Sequence, residues 1–399
     1  MRPRVLRVFA RYQHFGGEEA VAKRIHADLR DYLEADWFEY STDDLLGKGW
    51  GQRLQAPFKV IHNAEGVRAF RALQRERRYQ ALEIHNVLPA LSPGIYKAAF
   101  EFGLPVVHFL HNYRLSCVNG FFLNHGQPCH RCIRGNFFPA VSTKCWRESR
   151  IACGTMGIAL QRVRWLQTFS KVDAWVALSE VQKRLHLKMG LPEAKLHVLP
   201  HYLEPTSNFQ TRVPENGYAL FLGRLSPEKG IIQLIRAWAR LPRSAGRLVV
   251  AGTGPLEAES RALVKALNLP GVSFAGFVPP AEQSALWAGA KFAVVPSIWD
   301  EPFPLVVLEA WANGRGLVVS DWGSLPETGN GASLVTRVED ADAFAQALER
   351  VLQEHGVATM LAEQGKRKLL RDFNRDLWLR RVVAVYASVG VPFTRRIHR

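Results

Sequence analysis

Residues 218–230 read Tyr-Ala-Leu-Phe-Leu-Gly-Arg-Leu-Ser-Pro-Glu-Lys-Gly, and an apolar run at helical spacing follows from Ile231 to Trp238. The short apolar run 218–222 stops at Gly223, as a buried strand does when it enters a turn. A strand, a turn carrying Arg224 and Lys229, and a helix start together make an anion site. The helix dipole and its free N–H groups favour negative charge, and the two side chains add formal charge. Taken alone, the same two cations also suit a solvated loop.

A second stretch sharpens the choice. Residues 299–310 read Trp-Asp-Glu-Pro-Phe-Pro-Leu-Val-Val-Leu-Glu-Ala, so Glu301 and Glu309 bracket seven uncharged residues. A glutamate inside an apolar helix is costly without a partner. A sugar hydroxyl or a ribose is such a partner; two surface glutamates flanking an ordinary helix are the alternative. Turn and glutamate pair together are more specific than either part.

The turn Gly223-Arg224 through Lys229-Gly230, the run Gly252-Thr253-Gly254-Pro255 and the Glu301–Glu309 segment resemble the nucleotide-sugar domain of the family 4 retaining glycosyltransferases. The resemblance extends over nearly the whole chain. It implies a glycosyltransferase-B fold, an α/β architecture of two doubly wound Rossmann-like domains facing across a cleft. It also implies a nucleotide-sugar donor whose diphosphate leaves against Arg224 and Lys229, a transition-state effect. Gly223 and backbone donors near Phe303 and Leu305 would line the donor site. Glu301 would bind sugar hydroxyls and Glu309 the ribose. The family retains anomeric configuration by front-face attack assisted by the leaving phosphate, with no cofactor for catalysis. Pro302 and Pro304 depart from the usual pattern, since each removes a backbone N–H where glycine is common. Arg315-Gly316 and the single glycine of 323–327 depart as well. None of these changes removes a charged catalytic group.

Strand-like and helix-like segments alternate throughout, which argues independently for a doubly wound α/β chain. Strands are expected over 5–10, 81–84, 106–110, 174–177 and 197–199, then over 218–222, 247–251, 272–275, 292–295 and 316–320. In the first half, helices are expected over 17–33, 66–77, 93–102, 154–169 and 180–189. The domains follow as 1–204 on the acceptor side, a polar linker 205–217, and a nucleotide-sugar domain 218–372. Residues 373–399 are expected to form a final helix that returns to the first domain, as in the resembling family. Ligands of such sheets sit beyond the carboxyl ends of the strands, where each of these motifs falls.

In the first domain, Gly16 and Gly17 end the first strand and open a helix. The resemblance places this loop beside the sugar diphosphate and acceptor. His111 ends the strand at 106–110, where the family has a histidine that meets the donor sugar; a structural histidine is the alternative. His85-Asn86 is a second candidate of the same kind.

The five cysteines all lie between 117 and 153. Cys117, Cys129, Cys132 and Cys145, in an insertion at 115–150, have spacing that suits a tetrahedral structural zinc. Reduced thiols or one disulfide are the alternatives. Cys153 reads as a helix-core residue.

With 399 residues, 47% of them hydrophobic, the chain can build two cores, and no apolar run reaches the ~18 residues of a membrane span. The start is too short in its apolar part for a signal peptide, so a cytoplasmic protein is expected. A net charge of +16 calls for an anionic partner. The arginines of 68–78, on a helix with Phe70, Leu73 and Tyr79, suit an anionic membrane surface or simply a solvated face. No nucleic-acid motif accompanies the basic residues. The function expected is transfer of a sugar to a glycan or lipid-linked acceptor in surface polysaccharide biosynthesis, peripheral to the inner membrane face. Competing readings are a glycoside hydrolase, a nucleotide-sugar epimerase of the same fold, and a zinc-containing polyanion-binding protein.

Overall fold

The structure is a computed structural model that describes residues 2–11, 17–46, 50–205 and 213–393. The chain divides into two units, Met1–Leu199 with Leu379–Arg399, and Pro200–Trp378.

The first unit contains the strands β1 (Arg4–Arg11), β2 (Glu34–Ser41), β3 (Ala81–Asn86) and β4 (Val106–Phe109). A hairpin of β5 (Leu123–Asn124) and β6 (Gln127–Pro128) follows, then β7 (Ala174–Ala177) and β8 (Leu196–Val198). Its helices are α1 (Gly17–Leu29), α2 (Thr42–Leu46), α3 (Trp50–Ile61), α4 (Ala64–Arg77), α5 (Gly94–Glu101), α6 (Phe138–Thr143), α7 (Arg150–Trp165), α8 (Thr168–Lys171) and α9 (Glu180–Met189). Six strands form one parallel sheet in the order β2-β1-β3-β4-β7-β8.

Helix boundaries follow local chemistry. The N-terminus of α7 lies four residues before the expected start, because the Ser149 hydroxyl accepts from the Ala152 N–H at 3.2 Å and caps it. Helix α9 falls where expected, between the Ser179 cap and left-handed Gly190. Strand β2 was not expected: Glu34, Asp36 and Glu39 interrupt its apolar pattern. It lies at the sheet edge, where Glu34 and Glu39 reach Arg4 (3.2 Å) and Arg11 (3.3 Å) from β1.

The second unit carries β9 (Tyr218–Leu222), β10 (Leu248–Ala251), β11 (Val272–Gly276), β12 (Ala290–Val295), β13 (Gly316–Ser320) and β14 (Leu334–Thr336). Its helices are α10 (Ile231–Trp238), α11 (Glu257–Ala266), α12 (Gln283–Gly289), α13 (Leu305–Ala312), α14 (Leu325–Gly329), α15 (Ala341–Gln353) and α16 (Val357–Asp372). Helix α17 (Arg375–Ser388) begins in this unit, and its residues from Leu379 on belong to the first. The sheet order β11-β10-β9-β12-β13-β14 is parallel throughout. This is the Rossmann order, which reverses direction between its first and fourth strands, here β9 and β12. Phe221, Leu234, Ile235, Phe292, Phe344 and Leu348 pack its core. In such a sheet the crevice at the reversal point, beyond the carboxyl ends of the strands, is where a ligand fits.

Candidate active site

The loops after β9 and β12 meet at that reversal point. Leaving β9, the chain turns through Gly223 and exposed Arg224, and the Leu225 N–H donates to the Thr253 carbonyl at 2.9 Å. The Ile298 N–H donates to the Glu228 carbonyl at 3.0 Å, tying the β12 loop to the β9 turn. The Ser324 N–H donates to the Glu301 carbonyl at 2.9 Å, and the Ser320 hydroxyl to the Ser297 carbonyl at 2.6 Å, adding the β13 loop. Gly230 has φ +70°, and a Cβ there would lie 1.8 Å from the Pro296 carbonyl oxygen. Only glycine permits that approach.

Within this frame the sequence candidates Lys229 and Glu301 are in contact. Lys229 Nζ donates to Glu301 Oε2 at 2.7 Å and sits 5.4 Å over the Trp299 ring. The same Oε2 accepts from Trp299 Nε1 at 2.9 Å and from the Ser297 hydroxyl at 3.2 Å. Glu301 is 5% exposed, so three donors fix a nearly buried carboxylate, which in turn fixes the ammonium. One of the three Lys229 N–H bonds is used this way, and an ammonium has two more to offer an anion. Four residues on, α13 starts at Leu305 after Pro304, with no side-chain cap on its first N–H groups. Phe303 packs its ring against His201 (5.3 Å) and Phe373 (5.8 Å), so only its backbone can serve a ligand. Glu309 lies half-buried one turn into α13.

In the first unit, His111 is 8% exposed just beyond β4. Gly17 begins α1, and Gly16 lies outside the described residues. Behind His111 stands a buried polar row that sequence reading missed in part. His85 Nδ1 and His111 Nε2 are 2.8 Å apart, and His85 Nε2 is 2.6 Å from Glu83 Oε1. Arg7 donates to both Glu83 oxygens, at 2.5 and 3.0 Å, and the Tyr386 hydroxyl of α17 donates to Oε2. Arg7, Glu83 and Tyr386 have no exposed surface. Burial alone would raise the Glu83 pKa; Arg7 and His85 more than offset it and hold the carboxyl well below its usual range. Burial lowers the His85 pKa despite Glu83, which keeps the ring neutral at pH 7. The signal for Arg7 and Glu83 was present: each is a lone charge in the middle of an apolar strand, of opposite sign to the other.

Among the described residues, no three His, Cys, Asp or Glu side chains are placed to hold one ion. The Cys117 thiol donates to Asn119 Oδ1 at 3.0 Å and its sulfur accepts from the Phe122 N–H at 3.4 Å, so it is engaged within its own turn. The Cys129 sulfur accepts from Arg131 Nε at 3.5 Å. Burial raises the Cys117 pKa; burial together with the neighbouring thiols raises those of Cys145 and Cys132, the latter to about 11. No step of the chemistry is routed through a zinc at Cys117, Cys129, Cys132 and Cys145. Cys153 is fully buried in α7, as expected.

Comparison with known proteins gives these geometries a context. Residues 204–368 match the family of glycosyl transferases group 1. The lipopolysaccharide core biosynthesis glycosyltransferase LpsE of Rhizobium meliloti is 32% identical over 371 residues, 91% of this chain and 94% of that protein. The glycosyltransferase MJ1607 of Methanocaldococcus jannaschii is 28% identical over 248 residues, 57% of this chain and 63% of its own length. Some curated relatives are spanned less far still, glycogen synthase of Mycobacterium tuberculosis over 42%. Among solved structures, Anabaena Alr3699/HepE in complex with UDP and glucose superposes with a TM-score of 0.68 at 16% identity, over 97% of this chain and all of that one.

Proposed function

This chain belongs to the group 1 glycosyl transferases and has their glycosyltransferase-B fold, and from that premise we propose that it moves a hexose from a nucleoside diphosphate sugar to a glycan or lipid-linked acceptor with retention of configuration. The observation that carries the reading is Lys229 held on Glu301 at the strand reversal, four residues before α13. A diphosphate seated there meets Lys229, Arg224 and the first N–H groups of α13. As the glycosidic bond breaks, charge grows on the phosphate oxygens, and these groups stabilise the transition state more than the ground state. Glu309 is proposed to bind the ribose. Glu301 serves first as the anchor of Lys229, with a sugar hydroxyl as its further partner.

HepE was crystallised with UDP and glucose, which favours a uridine donor here. LpsE acts in lipopolysaccharide core biosynthesis, which favours an acceptor in a surface polysaccharide. The hydrolase reading is not favoured, since the Glu301 carboxylate is committed to three donors. The epimerase and polyanion-binding readings are not favoured by relatives that are transferases. Retention is tested by slow hydrolysis of UDP-glucose followed by NMR before mutarotation. Release of α-glucose is expected; β-glucose contradicts the mechanism.

An anionic membrane surface is proposed as the place of work, but not through α4. Phe70 of α4 and Tyr79 just beyond it are buried, 0% and 4% exposed, so the arginines of 68–78 form a solvated face over core residues. Exposed apolar side chains gather elsewhere: Leu54 and Phe58 on α3, Phe138 on α6, and Ile151, Ile158 and Trp165 on α7 are each at least 50% exposed. Helices α3 and α6 both pack on α7, and Ile151, Ile158 and Trp165 recur every seven residues along one of its faces. The net charge of +16 supplies the attraction to an anionic bilayer. No helix of the described residues is long and apolar enough to cross a membrane. Binding to vesicles of phosphatidylglycerol should fall about tenfold or more in Phe58→Ser/Trp165→Ser, since each buried aromatic contributes about 1.5–3 kcal/mol, and should persist when Arg68 and Arg75 are neutralised. The reverse pattern would return the contact to α4.

A further inference from the structure

All five cysteines are reduced thiols of the first unit. Cys117 and Cys129 are engaged by neighbours in their own turns. Cys145 and Cys153 are placed differently, since they come from two helix ends that meet. Cys145 lies just beyond α6, and its N–H donates to the Ala140 carbonyl at 3.3 Å. Cys153 is in the first turns of α7, and its N–H donates to the Ser149 carbonyl at 3.0 Å. The Cys153 sulfur accepts from the Trp146 N–H at 3.3 Å, and its thiol donates to the Trp146 carbonyl at 3.5 Å. Trp146 follows Cys145 directly, so this sulfur lies against the peptide that carries Cys145. Of the thiols that act on Cys145, Cys153 comes first, ahead of Cys117 and Cys132, and its side chain is the one that hydrogen-bonds to Cys145.

The backbone between the two cysteines is bent to bring them together. Arg147 and Glu148 are both left-handed, with φ +54° and +50°, and so is Lys144 at +51°. Such conformations are uncommon outside glycine and persist where the surrounding structure imposes them. The bend returns the chain onto α6, which packs on α7. Two thiols set beside each other by a strained turn have a chemistry that neither has alone.

We propose that Cys145 and Cys153 are a reversible oxidation site, a dithiol that closes to a disulfide under peroxide and clamps the end of α6 to the first turns of α7. Cys145 is partly exposed and Cys153 has no exposed surface, which assigns their parts. The Cys145 sulfur takes one oxygen from hydrogen peroxide and becomes a sulfenic acid, and one water leaves. The Cys153 sulfur then attacks the Cys145 sulfur. The S–S bond forms, the sulfenic oxygen leaves as a second water, and the thiol proton leaves with it. Two electrons have passed from the two sulfurs to the peroxide. Contact between the thiols makes the second step intramolecular, so closure outruns further oxidation of Cys145. A thiol reductant reverses it by exchange at the exposed sulfur. Helices α6 and α7 carry Phe138, Ile151, Ile158 and Trp165 of the exposed apolar surface, so the clamp fixes how that surface is presented. The pair does not rest on the transferase reading.

The test treats full-length protein, freed of reductant, with hydrogen peroxide and counts thiols by alkylation of the unfolded chain. The five thiols should fall by two, and dithiothreitol should restore all five. Trypsin cuts after Lys144, Arg147, Arg150 and Arg162, which leaves Cys145 on residues 145–147 and Cys153 on 151–162. Mass spectrometry of the unreduced digest should find these two peptides joined. In Cys153→Ser the exposed thiol has lost its partner, and Cys145 should go on to sulfinic acid. Cys145→Ser changes a partly exposed side chain and carries the test if Cys153→Ser does not fold; it should lose no thiol under the same treatment. Limited proteolysis reads the clamp: oxidised wild type should be cut within 115–150 more slowly than reduced, with no such difference in Cys145→Ser. Other peptides joined in the wild type, no loss of thiols, or Cys145 oxidised to sulfinic acid beside an intact Cys153 thiol overturns the pair. So does stoichiometric zinc that shields Cys145 until a chelator removes it. Equal proteolysis of the oxidised and reduced wild type overturns the clamp.

Discussion

Replacing Lys229 with alanine is expected to lower kcat/KM by about 10²- to 10³-fold, the loss typical of removing one preorganised donor from a developing oxyanion. The ammonium is not a free surface charge. Glu301 and the Trp299 ring hold it in place, so little reorganisation is needed as the phosphate charge grows. The loss should appear mainly in kcat, because the interaction strengthens as the bond breaks. Folding should survive. Glu301 keeps its bonds from Trp299 Nε1 and the Ser297 hydroxyl, so the cost of its unpaired charge stays near 1–3 kcal/mol. Steady-state kinetics with a thermal melt of the same sample checks both statements. A variant within about threefold of wild type would mean that Lys229 does not face the leaving group.

Gly230→Ala should produce the largest loss of stability. The residue has φ +70°, and its new Cβ would stand 1.8 Å from the Pro296 carbonyl oxygen and 2.8 Å from its carbon. Backbone strain costs about 1–3 kcal/mol, and overpacking adds about 1–3 kcal/mol. The loops cannot part to make room without breaking the bond from the Ile298 N–H to the Glu228 carbonyl, 3.0 Å. A fall in the melting temperature of at least roughly 5 °C is expected, at about 2–4 °C per kcal/mol for a unit of this size. Gly331→Ala is the control. It has the same left-handed backbone, φ +72°, with nothing within 4 Å of the new Cβ, so it should cost only the strain. Equal melting temperatures for the two variants would show that the close approach of the β9 and β12 loops does not hold the site together.

Much of this site was legible from local pattern. The run 218–222 is apolar and ends in glycine, so strand, turn and helix could be placed to the residue. The Glu301–Glu309 spacing marked α13 for the same reason. What local pattern could not give was pairing across distance. Lys229 and Glu301 are 72 positions apart, and nothing in either segment says that one anchors the other. His85 was visible as a strand-end histidine, yet its meaning depends on Glu83 two residues earlier and on Arg7 in another strand. The cysteines make the converse point. Their spacing suits zinc, but spacing says nothing about where hydrogen bonds within a turn will aim a thiol. The basic helix at 64–77 was read correctly as a helix, but its apolar residues belong to the core, and the exposed apolar surface lies on α3, α6 and α7, where no charge run drew attention.

The central claim is that the loops after β9 and β12 bind a nucleoside diphosphate. Calorimetric titration of UDP into the full-length wild-type protein and Lys229→Ala tests it most directly. The account predicts saturable binding of one equivalent by the wild type, weakened about tenfold or more when Lys229 is lost, since a charge-assisted hydrogen bond contributes roughly 1.5–3 kcal/mol. Cooperatively folding wild-type protein that binds no nucleoside diphosphate, or Lys229→Ala that binds as tightly as wild type, would contradict it.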